Sequence, residues 1–554
     1  MRRSLVKLVL GVGSCLVLAA CSGASSGGGE GSEPPVGTDP STNPNGTPKD
    51  GTGTGDGNGQ GDPTTPKLAV AAPGDVLLGR GGPVEIPVTV TRSGPIGAVT
   101  LRITSLPPGF TSSPVTVAAT ETSAVITLSA SEDASESPLT ATLQGTAGAL
   151  TATSSFSVKA PKQQSDTSFG TAGAIRIPGI TLTDALPLTD GKTLALGTRL
   201  ITWNKVVLRR FLVDGAVDAS FGTNGIFQLP DLSASASDMR AGSLAPKGDG
   251  SVYVSLQGSY SAQPTEIVLA HVLANGTLDT SFGIAGYARI SFDGWSGAVA
   301  RGLVVQADGK LLLAGAASNS SSSASDTQVR AVLTRLTAAG QLDASFGTGG
   351  KLVSTFGNTN GFANGLRIVS GKTYVFGRGD YVTGVFKGFL ARIDDAGALD
   401  ATFATGGVAT TEHSLSDAVP TPAGKWLVTG PRYAQQLTSD GAKDTSFGSQ
   451  GYILDTSPLG GAGYAMDQYA IGVASSGRIS AFIGSTSHDR LELWSFDASG
   501  QRITTFAGTG SVLLDTPGEN PLPVAIRPTA DGRFVAVGRS VIYPAESVLV
   551  RFFP

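Results

Sequence analysis

The chain has 554 residues, 39 Lys plus Arg against 43 Asp plus Glu, and a net charge of -4. That length is too great for one ordinary domain, and the slight acidic balance excludes the basic footprint of a nucleic-acid binder. With 76 Gly, 31 Pro and sparse charge, the composition points to an all-β protein of many short strands joined by Gly-rich turns.

Residues 1–20 open on Arg2, Arg3 and Lys7 and continue in an apolar run over 8–20. The run is too short to cross a membrane as a helix and reads as a secretory signal. Its end, Leu18-Ala19-Ala20-Cys21, resembles the lipobox of bacterial lipoproteins. The resemblance implies that Cys21 is lipidated and opens the mature chain, and that Cys15 leaves with the signal. It also implies an exported protein whose membrane contact is an N-terminal lipid anchor. Ser22, not Asp, follows the cysteine. That is similar to the sorting pattern of Gram-negative outer-membrane lipoproteins and predicts outer membrane or cell surface. Both cysteines of the chain lie here, so the mature protein is expected to hold no disulfide, cysteine–metal site or cysteine nucleophile.

Residues 21–66 are Gly, Ser, Thr, Pro, Asn and Asp in low complexity. They cannot bury enough apolar area to offset ordering entropy, and are expected to form a flexible tether with a mean reach of about 35–40 Å. The run from Asp56 to Asp62 has the start of a calcium loop, but Lys67 stands where a bidentate Glu is needed. It is read as linker.

Residues 67–160 change character. Alternating runs over 84–90, 98–104, 124–128 and 139–143 predict antiparallel strands. About seven such strands in this length fit an Ig-like β-sandwich. The stretch Leu106-Pro107-Pro108-Gly109-Phe110 resembles the Ig-like modules of bacterial surface proteins. The role expected for it is a spacer.

From 165 to 554 a repeat governs. D-x-S-F-G begins at Asp166, Asp218, Asp279, Asp343 and Asp444, and worn copies, D-A-T-F-A and I-T-T-F-A, begin at Asp400 and Ile503. The phenylalanines are Phe169, Phe221, Phe282, Phe346, Phe403, Phe447 and Phe506, roughly 45–65 residues apart, the length of one supersecondary unit. Between copies runs a tight first turn (Asp190-Gly191, Asp249-Gly250, Asp308-Gly309) and a glycine closing the second strand (Gly197, Gly258, Gly315, Gly377, Gly430, Gly484, Gly538). Asp-Gly is a strong hairpin signal. Each unit reads as a four-stranded antiparallel meander. The chain ends on a third strand without a fourth, and the repeat region begins with a fourth strand without predecessors. Together they predict a seven-bladed β-propeller closed by strand exchange between the termini of the repeat region. The unit G-x-L-D-x-S-F-G-x-x-G resembles the delta-60 repeat of bacterial secreted proteins, which implies a propeller and transfers no catalytic residue.

In the motif the Asp and Ser are expected to hold backbone N–H groups, and the Phe to wedge between sheets. Ligand binding is expected on the loops that do not repeat: Arg199, Trp203, Tyr260, Trp295, Arg378, Asp380, Tyr381, His413, Tyr464 and His488. A protein or glycan is the expected ligand. Arg378-Gly379-Asp380 spells an adhesion tripeptide but is read as chance. Hydrolysis of a glycosidic bond needs two placed carboxylates. Asp293, Asp326 and Asp380 could converge near a pore, yet no motif pins a pair, and His271, His413 and His488 show no metal spacing. The chain is therefore expected to be a monomeric binding protein, without metal, cofactor or catalysis. The alternatives are a glycan-active hydrolase or lyase and a purely structural envelope protein.

Overall fold

The computed structural model describes residues 66–553 apart from short breaks, the longest being 320–327, 455–467 and 515–520. The signal segment, Cys21 and nearly all of the tether lie outside the described residues. No α-helix occurs among the described residues.

Nine strands occupy 67–159, against the seven expected; the surplus lies in very short strands such as Val76–Leu77 and Val115–Val117. They form two sheets, of four and five strands. Alternation decides which side chains turn inward: Ile126, Leu128 and Ala130 of strand Ser123–Ala130 share one apolar cluster with Ala141 and Leu143 of strand Leu139–Ala147. The Leu106–Phe110 turn needs its glycine. Gly109 has φ +85, and a Cβ there would lie 2.6 Å from the Ala134 backbone.

From Ala174 onward the strands form antiparallel meanders in chain order. One sheet departs from that order. Strand Ala174–Pro178 pairs antiparallel with strand Glu546–Phe552, Ala174 opposite Val550, so the first strand of the region edges the sheet built by the last three. The opening strands of the meanders are Ile180–Pro187, Ala236–Pro246, Gly297–Val305, Phe362–Val369, Asp417–Pro420, Gln468–Val473 and Pro521–Pro528. Each contacts the next, and the last returns to the first. These strands therefore line a central channel.

The second strands read as unbroken apolar runs, and packing explains why. In strand Leu311–Asn319, Leu311, Leu313 and Ala317 enter one inter-sheet core while Leu312 and Ala314 enter the next. Both faces of a sheet packed between two others are dry, so alternation distinguishes two cores and not core from solvent.

The opening strands carry β-bulges. Register slips between Leu182 and Asp184, Ala241 and Leu244, Ala300 and Gly302, Ala363 and Gly365, and Pro523 and Ala525. The glycine that closes the second strand sits against such a kink. A Cβ on Gly315 or Gly377 would lie 1.9 Å from the carbonyl oxygen of Val299 or Phe362. A bulge leaves one residue unpaired and re-aims its side chain. The unpaired residues include Thr183, Arg301, Asn364 and Val524.

Candidate functional site

The repeated motif builds the joints between sheets. Asp218 Oδ1 accepts hydrogen bonds from the backbone N–H and hydroxyl of Ser220, at 3.1 and 2.6 Å. The same pair of bonds recurs at Asp166, Asp279, Asp343, Asp400 and Asp444. The other oxygen meets a cationic or imidazole side chain from the third strand: Arg210 at 2.7 Å from Asp218, His271 at 2.7 Å from Asp279, Arg335 at 2.7 Å from Asp343, Arg392 at 2.9 Å from Asp400. Asp166 takes Arg551 at 2.6 Å and Arg533 at 2.5 Å, from the far end of the chain. Each third-strand arginine lies over the phenylalanine of its own motif: Arg210 is 4.7 Å from the Phe221 centroid, Arg335 4.9 Å from Phe346, Arg551 4.5 Å from Phe169. It also reaches the next sheet. Arg210, Arg335 and Arg551 each donate to a turn carbonyl there, Ala274, Asp395 and Val213, at 2.5 Å.

The phenylalanines are buried at all seven motif positions. Gly222 and Gly347 donate their N–H to the next sheet's turn at 2.8 Å. Burial alone would raise the Asp166 carboxyl, but the Ser168 hydrogen bond and the charges of Arg533 and Arg551 hold it below the usual carboxylate range. The Thr402 hydrogen bond, helped by Arg392, brings Asp400 down to about 2. Some copies depart from this pattern. Gln436 stands where others have arginine, and Asp444 is held at 2.6 Å by Lys425, from the turn position that Lys192 and Lys310 occupy beside Asp218 and Asp343. Ile503 stands where others have Asp; there Arg478 donates to Ser495 Oγ at 2.8 Å. Ala404 replaces the last glycine and is held at φ 47.

The channel is a different environment. Its wide end is a cavity of about 950 Å³ lined by the bulged residues and by side chains that follow the closing glycines. Arg301 is the bulged residue of its strand; Arg378 follows Gly377 and Arg539 follows Gly538. Thr181, Thr183, Asn204, Gln257 and Asn364 supply neutral polar groups, and no carboxylate of the described residues lines this cavity. Because opening and second strands run antiparallel, the wall is made by the start of one and the end of the other. This is the end of the channel at which the non-repeating loops sit.

Arg240 donates to Asp238 at 3.2 Å. Arg301, Arg378 and Arg539 have no carboxylate partner among the described residues. The Arg301 and Arg378 guanidiniums lie 5.7 and 4.8 Å from the Phe362 ring centroid. Burial, with the charge of Arg378, lowers the pKa of Arg301; burial, with the charge of Arg301, lowers that of Arg539. The hydroxyl of Thr183 is buried without a hydrogen-bond partner. Farther in, a second cavity of about 600 Å³ holds two carboxylates, both paired: Asp184 with Arg527 at 3.1 Å and Asp417 with Arg367 at 2.6 Å.

Of the described loop residues singled out from sequence, only Arg378 lines the wide cavity. Arg199 is exposed at its strand end. Trp295 is half-buried against an apolar cluster, with Arg330 6.0 Å from its ring. Asp380 does not converge on the channel: its carboxylate binds the backbone N–H groups of Thr359 and Asn360, each at 2.9 Å. Asp293 does not line the cavity either. Tyr381 is 64% exposed and packs on Phe386. His413 is half-buried, 5.0 Å from the Tyr433 ring. His271 is buried between Asp279 and Ser251. Tyr260 ends its strand, and its side chain lies outside the described residues, as do Trp203, Asp326, Tyr464 and His488. Sequence reading missed Arg301 and Arg539. The available signal was positional: the residue after each closing glycine, and the residue two before the apolar end, Leu303–Val305, of the opening strand.

A family model described as a β-propeller domain of unknown function, DUF5122, matches residues 306–346. With the closed sequence of strand contacts, this makes the chain an all-β protein with a β-propeller fold. No curated protein matches the chain. Among solved structures it is similar to an aldose sugar dehydrogenase from Streptomyces coelicolor in PQQ-bound form, at 14% identity over 68% of this chain and 98% of that one, TM-score 0.30. It is similar to an endo-arabinase from Bacteroides thetaiotaomicron, at 11% identity over 68% and 94%, TM-score 0.26. A third is a Bombyx mori GH32 β-fructofuranosidase in complex with sucrose, at 9% identity over 70% and 92%, TM-score 0.27. These correct one expectation. All three neighbours are named as sugar-acting enzymes, so the reading of this chain as non-catalytic is withdrawn. Likeness at these scores transfers no residue, substrate or reaction.

Proposed function

We propose that the chain is an envelope lipoprotein, anchored through Cys21, that carries an Ig-like spacer and a seven-bladed propeller of delta-60 type. The ring is closed by exchange of strand Ala174–Pro178, and the propeller binds a glycan or protein at the wide mouth of its channel. The observation that supports this most is the set of bulges. Five of the seven opening strands break register, and residues released there face one 950 Å³ cavity, within the usual size range of ligand sites, about 300–1,000 Å³. A ring that only filled space has no use for repeated bulges.

The test is a glycan and envelope-protein binding screen of the full chain beside Asn204→Trp, which fills the mouth, and Tyr381→Ala, which lies on the loops. Hits lost in N204W at unchanged melting temperature support the reading; hits indifferent to N204W, or no hits, sink it. The anchor is tested by Cys21→Ala. Release into the soluble fraction is expected, and continued membrane retention would count against it.

A further inference from the structure

Three arginines of the channel mouth, Arg301, Arg378 and Arg539, surround one cavity that no carboxylate of the described residues lines. Like charges brought together, and partly withdrawn from water, disfavour their own ionised state. Elsewhere in this propeller such a cost is met at once: the joint arginines each have an aspartate within 3 Å, and the inner channel arginines Arg367 and Arg527 have Asp417 and Asp184. Among the described residues the compensation is missing for all three at the mouth, as it is for the single Arg209 of strand Lys205–Phe211. The arginines are also held in place. Phe362 packs between Arg301 and Arg378, the bulge fixes where Arg301 points, and the strand register fixes Arg378 and Arg539 beside their closing glycines.

Resting on the reading of the mouth as a ligand site, we infer that its ligand is an acidic oligosaccharide, whose carboxylate or sulfate groups are received by Arg301, Arg378 and Arg539. A planar guanidinium presents a fork of N–H donors that matches a carboxylate or sulfate edge. The remaining wall suits the rest of a sugar chain. Thr181, Thr183, Asn204 and Gln257 offer hydroxyls and amides for ring hydroxyls, and the Thr183 hydroxyl has its hydrogen-bonding capacity unused. A channel mouth bounded by a ring of strands receives a narrow chain end in preference to the broad surface of a folded protein. Bound anions would remove the mutual repulsion of the arginines, so ligand and cations stabilise one another in a setting less screened than open solvent.

The experiment is calorimetric titration of the full chain with tri-galacturonic acid, a sulfated trisaccharide, a neutral trisaccharide of equal length, tetraglutamate and inorganic sulfate, at low and raised salt. The expected result is binding of at least one acidic trisaccharide at least 10-fold tighter than the neutral one, weakening with salt. Which acid binds tighter tells a uronate from a sulfated source. Arg301→Gln and Arg539→Gln each weaken it at least 10-fold, and Arg301→Lys recovers part of the loss. The melting temperature of the ligand-free variants stays level or rises, because a repulsion has been removed; arginines with a merely structural role would leave it lower. Equal affinity for the neutral sugar, unchanged affinity in both Gln variants, or tighter binding of tetraglutamate or inorganic sulfate than of either acidic sugar overturns the inference. A neutral sugar that binds, is lost in N204W and survives in R301Q overturns the inference alone and leaves the mouth as a binding site. If nothing binds there, both fall.

Discussion

The joints between sheets and the mouth of the channel use the same side chain in opposite ways. At a joint, Arg210 is nearly buried, lies on Phe221, and holds Asp218 at 2.7 Å. At the mouth, Arg378 lies on Phe362 at a similar 4.8 Å but meets no carboxylate among the described residues. A buried arginine whose charge is matched is a fastener. One left unmatched beside others of its kind is a cost that folding alone does not explain, and such costs gather where a protein meets its ligand. Where the repeat wears, the two regions also differ. The joint at Asp444 has Gln436 in place of the arginine and keeps the turn lysine, Lys425, that other joints also have. Among the described residues no counter-charge stands beside Arg301 or Arg539.

This contrast can be broken by substitution, and the largest effect is expected at the closing joint. Asp166 is 1% exposed and faces both Arg533 and Arg551. Asp166→Ala leaves two cations without their partner and should cost about 3–5 kcal/mol, read by denaturant unfolding; a loss below about 1 kcal/mol would mean that the joint carries little of the ring's stability.

Acid should act on the joints and spare the mouth. The joint carboxylates titrate below their unfolded values, Asp400 and the turn residue Asp249 at about 2. The unfolded chain therefore binds more protons as pH falls through the range between the two values. The stability these groups contribute is fully present above the unfolded carboxylate pKa, about 4, and is lost between there and about pH 2. Melting temperature followed from pH 7 to pH 2 should be level to about 5 and then fall. A steep decline already between 7 and 5 would place the titrating groups elsewhere.

A paired comparison is sharper although smaller. Arg210→Gln uncouples Asp218, which keeps Lys192 at 3.2 Å, and should cost about 2 kcal/mol. Arg539→Gln should change stability by less than about 0.5 kcal/mol or raise it. Equal losses in the two variants would erase the distinction between fastener and receptor. An effect smaller than that of Arg210→Gln is expected at Ala404, which takes φ 47 where five copies have glycine. Ala404→Gly should gain about 1 kcal/mol, visible as a rise in melting temperature; a fall would show that its methyl group packs usefully.

Much of the joint was legible in the chain. Asp, Ser and Phe of the motif were assigned their hydrogen bonds and wedge from residue chemistry and spacing. Its arginine was not, although a cation stands eight residues before Asp218, Asp343 and Asp400; the motif draws the eye forward from Asp, and the third strand lies behind it. Trp295 and Asp380 were read as ligand-binding loop residues. One packs on a core and the other ties down a neighbouring loop, because a side chain's surroundings come from strands far away in sequence.

By itself the sequence determined the all-β class, the repeat and its turns, since alternation, Asp-Gly pairs and a recurring motif act over a few residues. It also made the first and last strands complementary fragments. Only the tertiary structure decided what faces the channel. A closing glycine on one strand permits a bulge on its neighbour, the bulge turns Arg301 inward, and ring geometry carries Arg378 and Arg539 to meet it from other sheets. That meeting depends on residues distant along the chain, which no local pattern records.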